Sequence, residues 1–177
     1  KATSNICTAQ ALLAIISASY AIYHGPERLK NIANSIHHNA RYLKKSLEIL
    51  GFEIISKNYF DTLLIKTSEA KYWVKKSIEQ GINFRLVDKE TFTLSLDETT
   101  TLQDVDNLVN FFNEQNIDIF AEEVENRLEQ SCFENGLSRE DKILTHPVFN
   151  IYHSETEMMR YLKKLENKDV ALNRSMI

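Results

Sequence analysis

The chain has 177 residues, of which 43% are hydrophobic and 26% are charged, and its formal net charge is −4 at pH 7. This composition is ordinary for a globular protein, and the length allows one domain with an appendage. The net charge of −4 gives no basic footprint for nucleic-acid binding. The two widely separated cysteines, Cys7 and Cys132, exclude a disulfide framework and indicate reduced intracellular thiols.

The first predicted helix covers residues 5–24, with Ser4 or Asn5 as its N-cap. Its stretch from Ala9 to Ile22 is apolar nearly all round, which is typical of a helix buried in a core. The stretch is too short and too interrupted to span a membrane comfortably, and it lacks the charged start and cleavage site of a signal peptide. Because the chain starts inside such a helix and has no initiator Met, we expect it to be an excised part of a larger protein.

A second helix is predicted over 27–50, with one apolar stripe formed by Leu29, Ile32, Ile36, Ala40, Leu43, Leu47 and Leu50. The chain has four glycines, and each follows the expected end of a helix, at Gly25, Gly51, Gly81 and Gly136. Glycine at such positions accepts the left-handed backbone that terminates a helix. No glycine remains for a phosphate-binding loop or a dinucleotide fingerprint.

Four short strands are predicted at 52–56, 60–67, 82–87 and 91–97. Ser68 is expected to cap a helix over 69–80, and a capping box from Thr100 to Gln103 is expected to open the next helix. Short strands joined by tight turns predict an α+β fold for residues 1–113. Its short four-stranded sheet would be antiparallel or mixed and covered by helices.

Residues 114–177 form a mostly helical extension in this interpretation. A charged helix is predicted at 121–135, and an irregular crossing segment at 136–150. Ser154 and Glu157 form a second capping box before a helix at 155–168. The side chains of that helix expected to face inward are Met158, Tyr161, Leu162 and Leu165.

Conventional catalytic patterns are weak in this sequence. Cys7 is best interpreted as a packed core thiol, because it lies within one turn of the predicted buried helix. Cys132 is best interpreted as a surface thiol, because it lies in an acidic run. The histidines show no metal-binding spacing, and His37 and His38 are expected on the solvated side of their helix. No set of nucleophile, base and orienting residue emerges.

The segment "THPVFNIYHSE" leaves two alternatives open. Its polar residues Asn150, His153, Ser154 and Glu155 have a spacing that could converge on a pocket. Its aromatic residues Phe149 and Tyr152 could instead anchor a linker to a domain. From residue types alone, docking is favoured over a site.

Several stretches resemble glycine dehydrogenase (decarboxylating), the P-protein of the glycine cleavage system. They are "TSNICTAQALLA", "AIYHGPERLK", "NYFDTLLIK", "INFRL", "SLDETTT" and "LTHPVFNIYHSETEMMRYLKKLENKDVALNRSMI". The resemblance covers essentially the whole chain. It implies that residues 1–113 are the small C-terminal domain ending the first of two homologous fold-type I pyridoxal-phosphate halves. Residues 114–177 would then be the linker and opening segment of the second half.

The resemblance implies an oxidoreductase as the parent protein. That enzyme uses pyridoxal 5'-phosphate to decarboxylate glycine and transfers the aminomethyl group to the lipoyl arm of the H-protein. The family's Schiff-base lysine has no match in this chain. We therefore expect no catalytic residue, no metal, no bound cofactor and no activity in the chain alone. The residues expected to face the substrate and cofactor pocket are Asn150, His153, Ser154 and Glu155, with Thr3 and Asn5 as weaker candidates.

The implied partners are the remaining large domains of the same enzyme, the lipoylated H-protein and further copies of the parent, without nucleic acid or membrane. The expected location is the cytoplasm of a bacterium, or the mitochondrial matrix of a eukaryote. The alternative function, from a different class, is a free-standing small α+β domain that binds a protein or a ligand.

Overall fold

The computed structural model describes residues 9–128, 139–170 and 172–173. The chain divides into two compact units. Residues 32–140 form what we call the sheet unit, and residues 1–31 together with 141–177 form the terminal unit. The two units are defined by the contacts that residues of this chain make with one another. The predicted boundary after residue 113 concerns the two halves of the related enzymes and stays a prediction.

The first element, α1 (Ala9–Ile49), contributes to both units and is broken at Gly25. Gly25 has φ 66° and ψ 179°, which is outside the helical region, and Pro26 follows it. The two helices predicted on either side of this position are confirmed. The predicted burial of the first one is wrong for this chain, because every residue from Gln10 to Ala18 is exposed. Among the described residues, no helix has both the length and the hydropathy to cross a membrane.

The sheet unit continues with β1 (Glu53–Ile54), β2 (Thr62–Lys66), α2 (Ala70–Glu79), β3 (Arg85–Leu86), β4 (Thr91–Ser95), α3 (Leu102–Phe112) and α4 (Ala121–Asn126). The sheet order is β1-β2-β4-β3, and every pair of neighbouring strands is antiparallel. The predicted α+β class is therefore confirmed, and the sheet is antiparallel rather than mixed. Opposite Leu63 lies Leu94, and opposite Ile65 lies Phe92, so apolar side chains meet across the central pair of strands.

The core of the sheet unit lies between this sheet and its helices. Leu43 and Leu47 of α1 are fully buried there, as the predicted stripe requires, although Leu29, Ile32 and Ile36 are only half-buried. Six aromatic residues of the core form one connected cluster of rings: Phe52, Trp73, Phe84, Phe92, Phe111 and Phe112. Helix and sheet are thus joined by a continuous apolar core.

Two predicted helix caps are displaced by one residue. The box that opens α3 is made by Thr101 and Asp104, not by Thr100 and Gln103. The reason is that the hydroxyl of Thr100 is already bonded to Asp97 in the preceding turn, at 3.1 Å.

The second displaced cap is at α2. Ser68 does not cap this helix, whose N-cap is Glu69, and Glu69 makes no capping bond through its side chain. The hydroxyl of Thr67 accepts the Glu69 N–H instead, at 3.2 Å.

The terminal unit adds the 3-10 helix Pro147–Asn150 and α5 (Glu155–Glu166). The capping box of Ser154 and Glu157 is confirmed. No described side chain of α5 is buried. Leu162 and Leu165 are exposed, so the prediction that they face inward is wrong, and Met158 and Tyr161 are half-buried.

The charged helix predicted at 121–135 is shorter than expected, because α4 ends at Asn126. Residues 129–135 of that prediction lie outside the described residues, as do Cys7, Cys132 and Gly136. His37 and His38 are half-buried rather than solvated. Nδ1 of His37 lies 2.9 Å from the Phe60 carbonyl, and Nε2 of His38 lies 3.2 Å from a carboxylate oxygen of Glu125.

Candidate functional site

The segment with the strongest predicted chemistry, residues 145–157, packs against the break in α1 within the terminal unit. A Cβ atom at Gly25 would lie 2.6 Å from the ring carbon Cε1 of His153 and 2.6 Å from the carbonyl oxygen of Phe149. Both distances are shorter than any ordinary contact with a Cβ. Only glycine therefore permits this approach, and its positive φ gives a second reason for glycine at the same position.

His153 bonds directly to the backbone of the broken helix. Its Nδ1 lies 2.9 Å from the carbonyl oxygen of Tyr23. A carbonyl oxygen can only accept, so Nδ1 must carry the proton and donate it. In the neutral ring this leaves the lone pair on Nε2, which could accept a proton or a hydrogen bond. Arg28 also donates to the carbonyl oxygen of His153, at 3.3 Å.

Asn150 is exposed and closes the loop that precedes it. Its side-chain amide donates to the carbonyl oxygens of Leu144 and His146, both at 3.1 Å. Leu144 has φ 51°, a left-handed conformation that is uncommon for a residue other than glycine. The two hydrogen bonds that the side-chain amide of Asn150 donates span this tight turn and hold it in place.

Ser154 and Glu157 use their polar atoms at the start of α5. The hydroxyl of Ser154 accepts the backbone N–H of Glu157 at 3.3 Å, and a carboxylate oxygen of Glu157 accepts from the hydroxyl of Ser154 at 2.9 Å. The bond from the Ser154 hydroxyl is the main reason that the pKa of the Glu157 carboxyl is lowered. Glu155 is exposed in the first helical turn, where a carboxylate interacts favourably with the helix dipole.

The aromatic residues of the segment anchor it locally. The ring of Tyr152 stacks on that of Tyr161 in α5, with centroids 4.2 Å apart and planes at 22°. Phe149 is half-buried, and its carbonyl faces Gly25. Of the predicted pocket residues, Asn150, His153 and Ser154 make hydrogen bonds that hold the segment, and Glu155 lies exposed beside them. Thr3 and Asn5 lie outside the described residues. Sequence reasoning missed Gly25, Tyr23 and Arg28 as members of this arrangement.

A groove of about 620 Å³ runs along the same segment. It is lined by Pro26, Glu27, Lys30, Lys142, Ile143, Leu144, Thr145, Pro147, Asn150 and Ile151. Lys30 lies 3.6 Å from the carboxylate of Glu27, and both side chains are largely exposed. This groove is wide and open to solvent, so its lysines keep their hydration.

A second polar cluster lies in the sheet unit. The carboxylate of Glu114 accepts from the hydroxyl of Tyr72 at 2.5 Å and from the ammonium of Lys76 at 2.6 Å. The bond from Lys76 is the main cause of the lowered pKa of Glu114, and the bond to Glu114 raises the pKa of Tyr72. Lys76 also donates to the carbonyl of Phe111 at 3.0 Å and lies 4.7 Å from the ring centre of Trp73. The cluster joins α2 to the end of α3, which is a structural role.

Pyridoxal phosphate, the cofactor that the resemblance implies, requires a lysine in a desolvated pocket and N–H groups that hold its phosphate. Within the ranges 9–128, 139–170 and 172–173 every lysine is exposed or half-buried. The residues present there do not make a complete site for this cofactor. In the same ranges, no group of three or more His, Cys, Asp or Glu side chains is placed to hold a metal ion.

Comparison with known proteins gives consistent matches. The sequence profile of the family described as "Glycine cleavage system P-protein" matches residues 1–112. Glycine dehydrogenase (decarboxylating) of Christiangramia forsetii is 48% identical over 178 residues, which cover 100% of this chain and 18% of that protein. The protein of the same name from Pelagibacter ubique is 46% identical over 180 residues, again 100% of this chain and 18% of that protein.

A mitochondrial relative is similar to the same degree. Glycine dehydrogenase (decarboxylating), mitochondrial, of Pisum sativum is 47% identical over 178 residues, which cover 100% of this chain and 17% of that protein. The chain therefore spans less than a fifth of the length of the curated relatives that it matches.

Proposed function

The chain belongs to the glycine cleavage system P-protein family, and from this premise we propose that it is part of a glycine decarboxylase that depends on pyridoxal phosphate. The parent enzyme removes CO2 from glycine and transfers the aminomethyl group to the lipoyl arm of the H-protein. The observation that carries this proposal is identity of 46–48% along the whole chain to proteins named glycine dehydrogenase (decarboxylating). Pyridoxal phosphate, when bound to the parent, accepts the electrons that the departing carboxylate leaves behind.

Within that enzyme the chain is proposed to supply structure and pocket walls rather than the lysine that carries the cofactor. Residues 1–113 would end the first half, and residues 114–177 would open the second. The remaining large domains, the lipoylated H-protein and further copies of the parent are its proposed partners. The proposed location follows the relatives: cytoplasmic in a bacterium, or the mitochondrial matrix in a eukaryote.

A segment exchange tests the proposed function. This chain replaces the 178 matched residues in the enzyme of Christiangramia forsetii, and the chimera is assayed for release of CO2 from glycine with lipoylated H-protein. We expect an active chimera, and we expect no release from the isolated chain supplied with pyridoxal phosphate. A chimera that folds and binds the cofactor but releases no CO2 would overturn the proposal.

Asn150, His153, Ser154 and Glu155 are proposed to face the pocket of the complete enzyme, with Thr3 and Asn5 nearby. His153 has the strongest support, because its bond to Tyr23 uses only Nδ1 and leaves Nε2 for a ligand or a proton. Asn150 and Ser154 use polar atoms in bonds to the loop and at the start of α5. Glu155 is exposed in the first turn of that helix.

Two amide substitutions separate the two ring nitrogens of His153. His153→Asn keeps a donor near the position of Nδ1, whereas His153→Gln places a polar group near the position of Nε2. If Nε2 serves the pocket, the Asn variant of the chimera keeps its thermal stability but loses activity, and the Gln variant loses stability first. Full activity in the Asn variant would assign His153 a purely structural role.

A further inference from the structure

The N-terminal part of α1 carries the largest run of uncovered aliphatic side chains among the described residues. Leu12 is 63% exposed, Leu13 65%, Ile15 61% and Ile16 53%. No charged residue occurs between Ala2 and Pro26. Single exposed leucines are common on protein surfaces, but a contiguous patch of this kind marks a contact surface.

Helical spacing divides residues 10–18 between two sides of the helix. At about 100° per residue, Leu12, Leu13, Ile15 and Ile16 occupy one broad side of the helix. The opposite side carries only the small side chains Ala11, Ala14 and Ala18, the hydroxyl of Ser17 and the amide of Gln10. One side offers apolar bulk, and the other allows a close approach of a neighbouring backbone.

The few polar groups on this helix are compatible with burial. The hydroxyl of Ser17 donates to the carbonyl oxygen of Leu13 at 2.8 Å, so it needs no partner outside the helix. Burying a hydroxyl that already has a hydrogen bond avoids most of the cost of desolvation. A covering surface therefore needs no complementary charges and only one polar group, opposite Gln10.

We propose that residues 10–18 are a core helix of the complete parent enzyme, surrounded on all sides by parts of the polypeptide outside this chain. The proposal rests on the proposed function and names where the chain attaches to the remaining enzyme. The curated relatives are more than five times as long as the matched segment, so they supply ample material to enclose it. A second copy of the chain would cover only the apolar side of the helix, whereas the small side chains on the other side allow the close approach of a further neighbour.

Hydrogen exchange in the isolated chain and in the chimera tests this enclosure. A helix without tertiary contacts is only marginally stable in water, so its amides should exchange within about tenfold of the unfolded rate in the isolated chain. In the chimera the same amides should exchange more than about a hundredfold more slowly. Amides of the sheet unit around Leu43 should be protected in both proteins, which provides the internal control.

The substitution Ile16→Glu is a second test of the enclosure. Its effect should be favourable in the isolated chain and unfavourable in the chimera. In the isolated chain it replaces an exposed apolar group with a charge, and the soluble concentration should rise. In the chimera it places a carboxylate in an apolar environment, and activity should fall about tenfold or more. Lys75→Glu, at a side chain that is 81% exposed, is the matched control and should leave the activity of the chimera unchanged.

The outcomes separate this proposal from the proposed function. An active chimera in which residues 10–18 exchange as fast as in the isolated chain, or in which Ile16→Glu is harmless, overturns the enclosure alone. Protection that appears in the isolated chain with rising concentration, together with a discrete dimer in sedimentation, assigns the surface to a second copy instead. A chimera with residues 10–18 protected but without activity overturns the proposed function and leaves the enclosure standing.

Discussion

The sheet unit and the terminal unit are stabilised in different ways. The sheet unit buries a continuous set of apolar side chains, with Leu43, Leu63 and Phe92 fully inaccessible. Among the described residues of the terminal unit, only Ile22 and Gly25 are buried. The terminal unit is held instead by backbone contacts, capping bonds and one stacked pair of tyrosines. We infer that the sheet unit has the core it needs to fold by itself, while the described part of the terminal unit has few buried side chains to stabilise it.

One helix in each unit begins with a capping box, and comparing the two helices shows what this motif contributes to a helix by itself. Thr101 and Asp104 start α3, and Ser154 and Glu157 start α5, each through a complete capping box. Helix α3 then buries five side chains against the core, whereas α5 buries none among the described residues. A cap fixes where a helix begins, but packing decides how stable that helix is.

The largest expected effect is the loss of a core side chain in the sheet unit. Leu43→Ala should lower the free energy of unfolding by about 2–5 kcal/mol, because it removes a fully buried side chain and leaves a cavity. The matched change Leu165→Ala, at a residue 39% exposed on α5, should cost less than about 1 kcal/mol. Urea unfolding followed by the fluorescence of Trp73, the only tryptophan, measures the first loss, and urea unfolding followed by the backbone chemical shifts of α5 measures the second. Equal losses would remove the contrast between the units.

The next effect concerns the break in α1. Gly25→Ala should destabilise the terminal unit by about 1–3 kcal/mol, because its backbone conformation is nearly restricted to glycine and its Cβ would collide with Phe149 and His153. Gly81→Ala is the control, with a φ of 75° but open space around it. Amides of residues 149–157 should exchange faster in the Gly25 variant only. Unchanged exchange there would show that the segment does not depend on this contact.

A smaller effect separates the two capping boxes. Ser154→Ala and Thr101→Ala should each cost about 1 kcal/mol of helix stability. In α5 this loss should melt most of the helix, while in α3 the buried face should keep the helix formed and the loss should appear in the unfolding midpoint. Backbone chemical shifts of the two helices report the difference. A helical α5 in the Ser154 variant would point to tertiary support that the exposure of its side chains does not indicate.

The smallest effect is a pH dependence of α5. The pKa of Glu157 is lowered from 4.5 in the folded chain, mainly by the Ser154 hydroxyl, so its contribution to stability is present above pH 4.5 and is lost as the pH falls through the lowered value. Helical shifts of α5 should therefore decline in acid. Asp104 has a lowered pKa for the equivalent reason, but α3 should persist because it is packed. Glu157→Gln should flatten the acid dependence of α5, and an unchanged profile would contradict this assignment.

The sequence by itself determined the α+β class, the four strands, the break at Gly25 and the box at Ser154, because hydrophobic periodicity, glycine and capping residues act over a few neighbouring positions. It also carried the family resemblance. It did not decide which threonine caps α3, because three consecutive threonines offer the same hydroxyl and the turn at Asp97 selects between them.

Only the tertiary structure shows which atoms pack around each segment. The stretch from Gln10 to Ala18 has the sequence pattern of a buried helix, yet it is exposed here. Burial depends on neighbouring atoms that pack against a helix, and the pattern within the helix does not specify those atoms. In the same way, the bond from His153 to Tyr23 joins residues 130 positions apart in sequence. Local signals fix an element and its ends, but a contact between distant residues exists only after the chain has folded and brought them together.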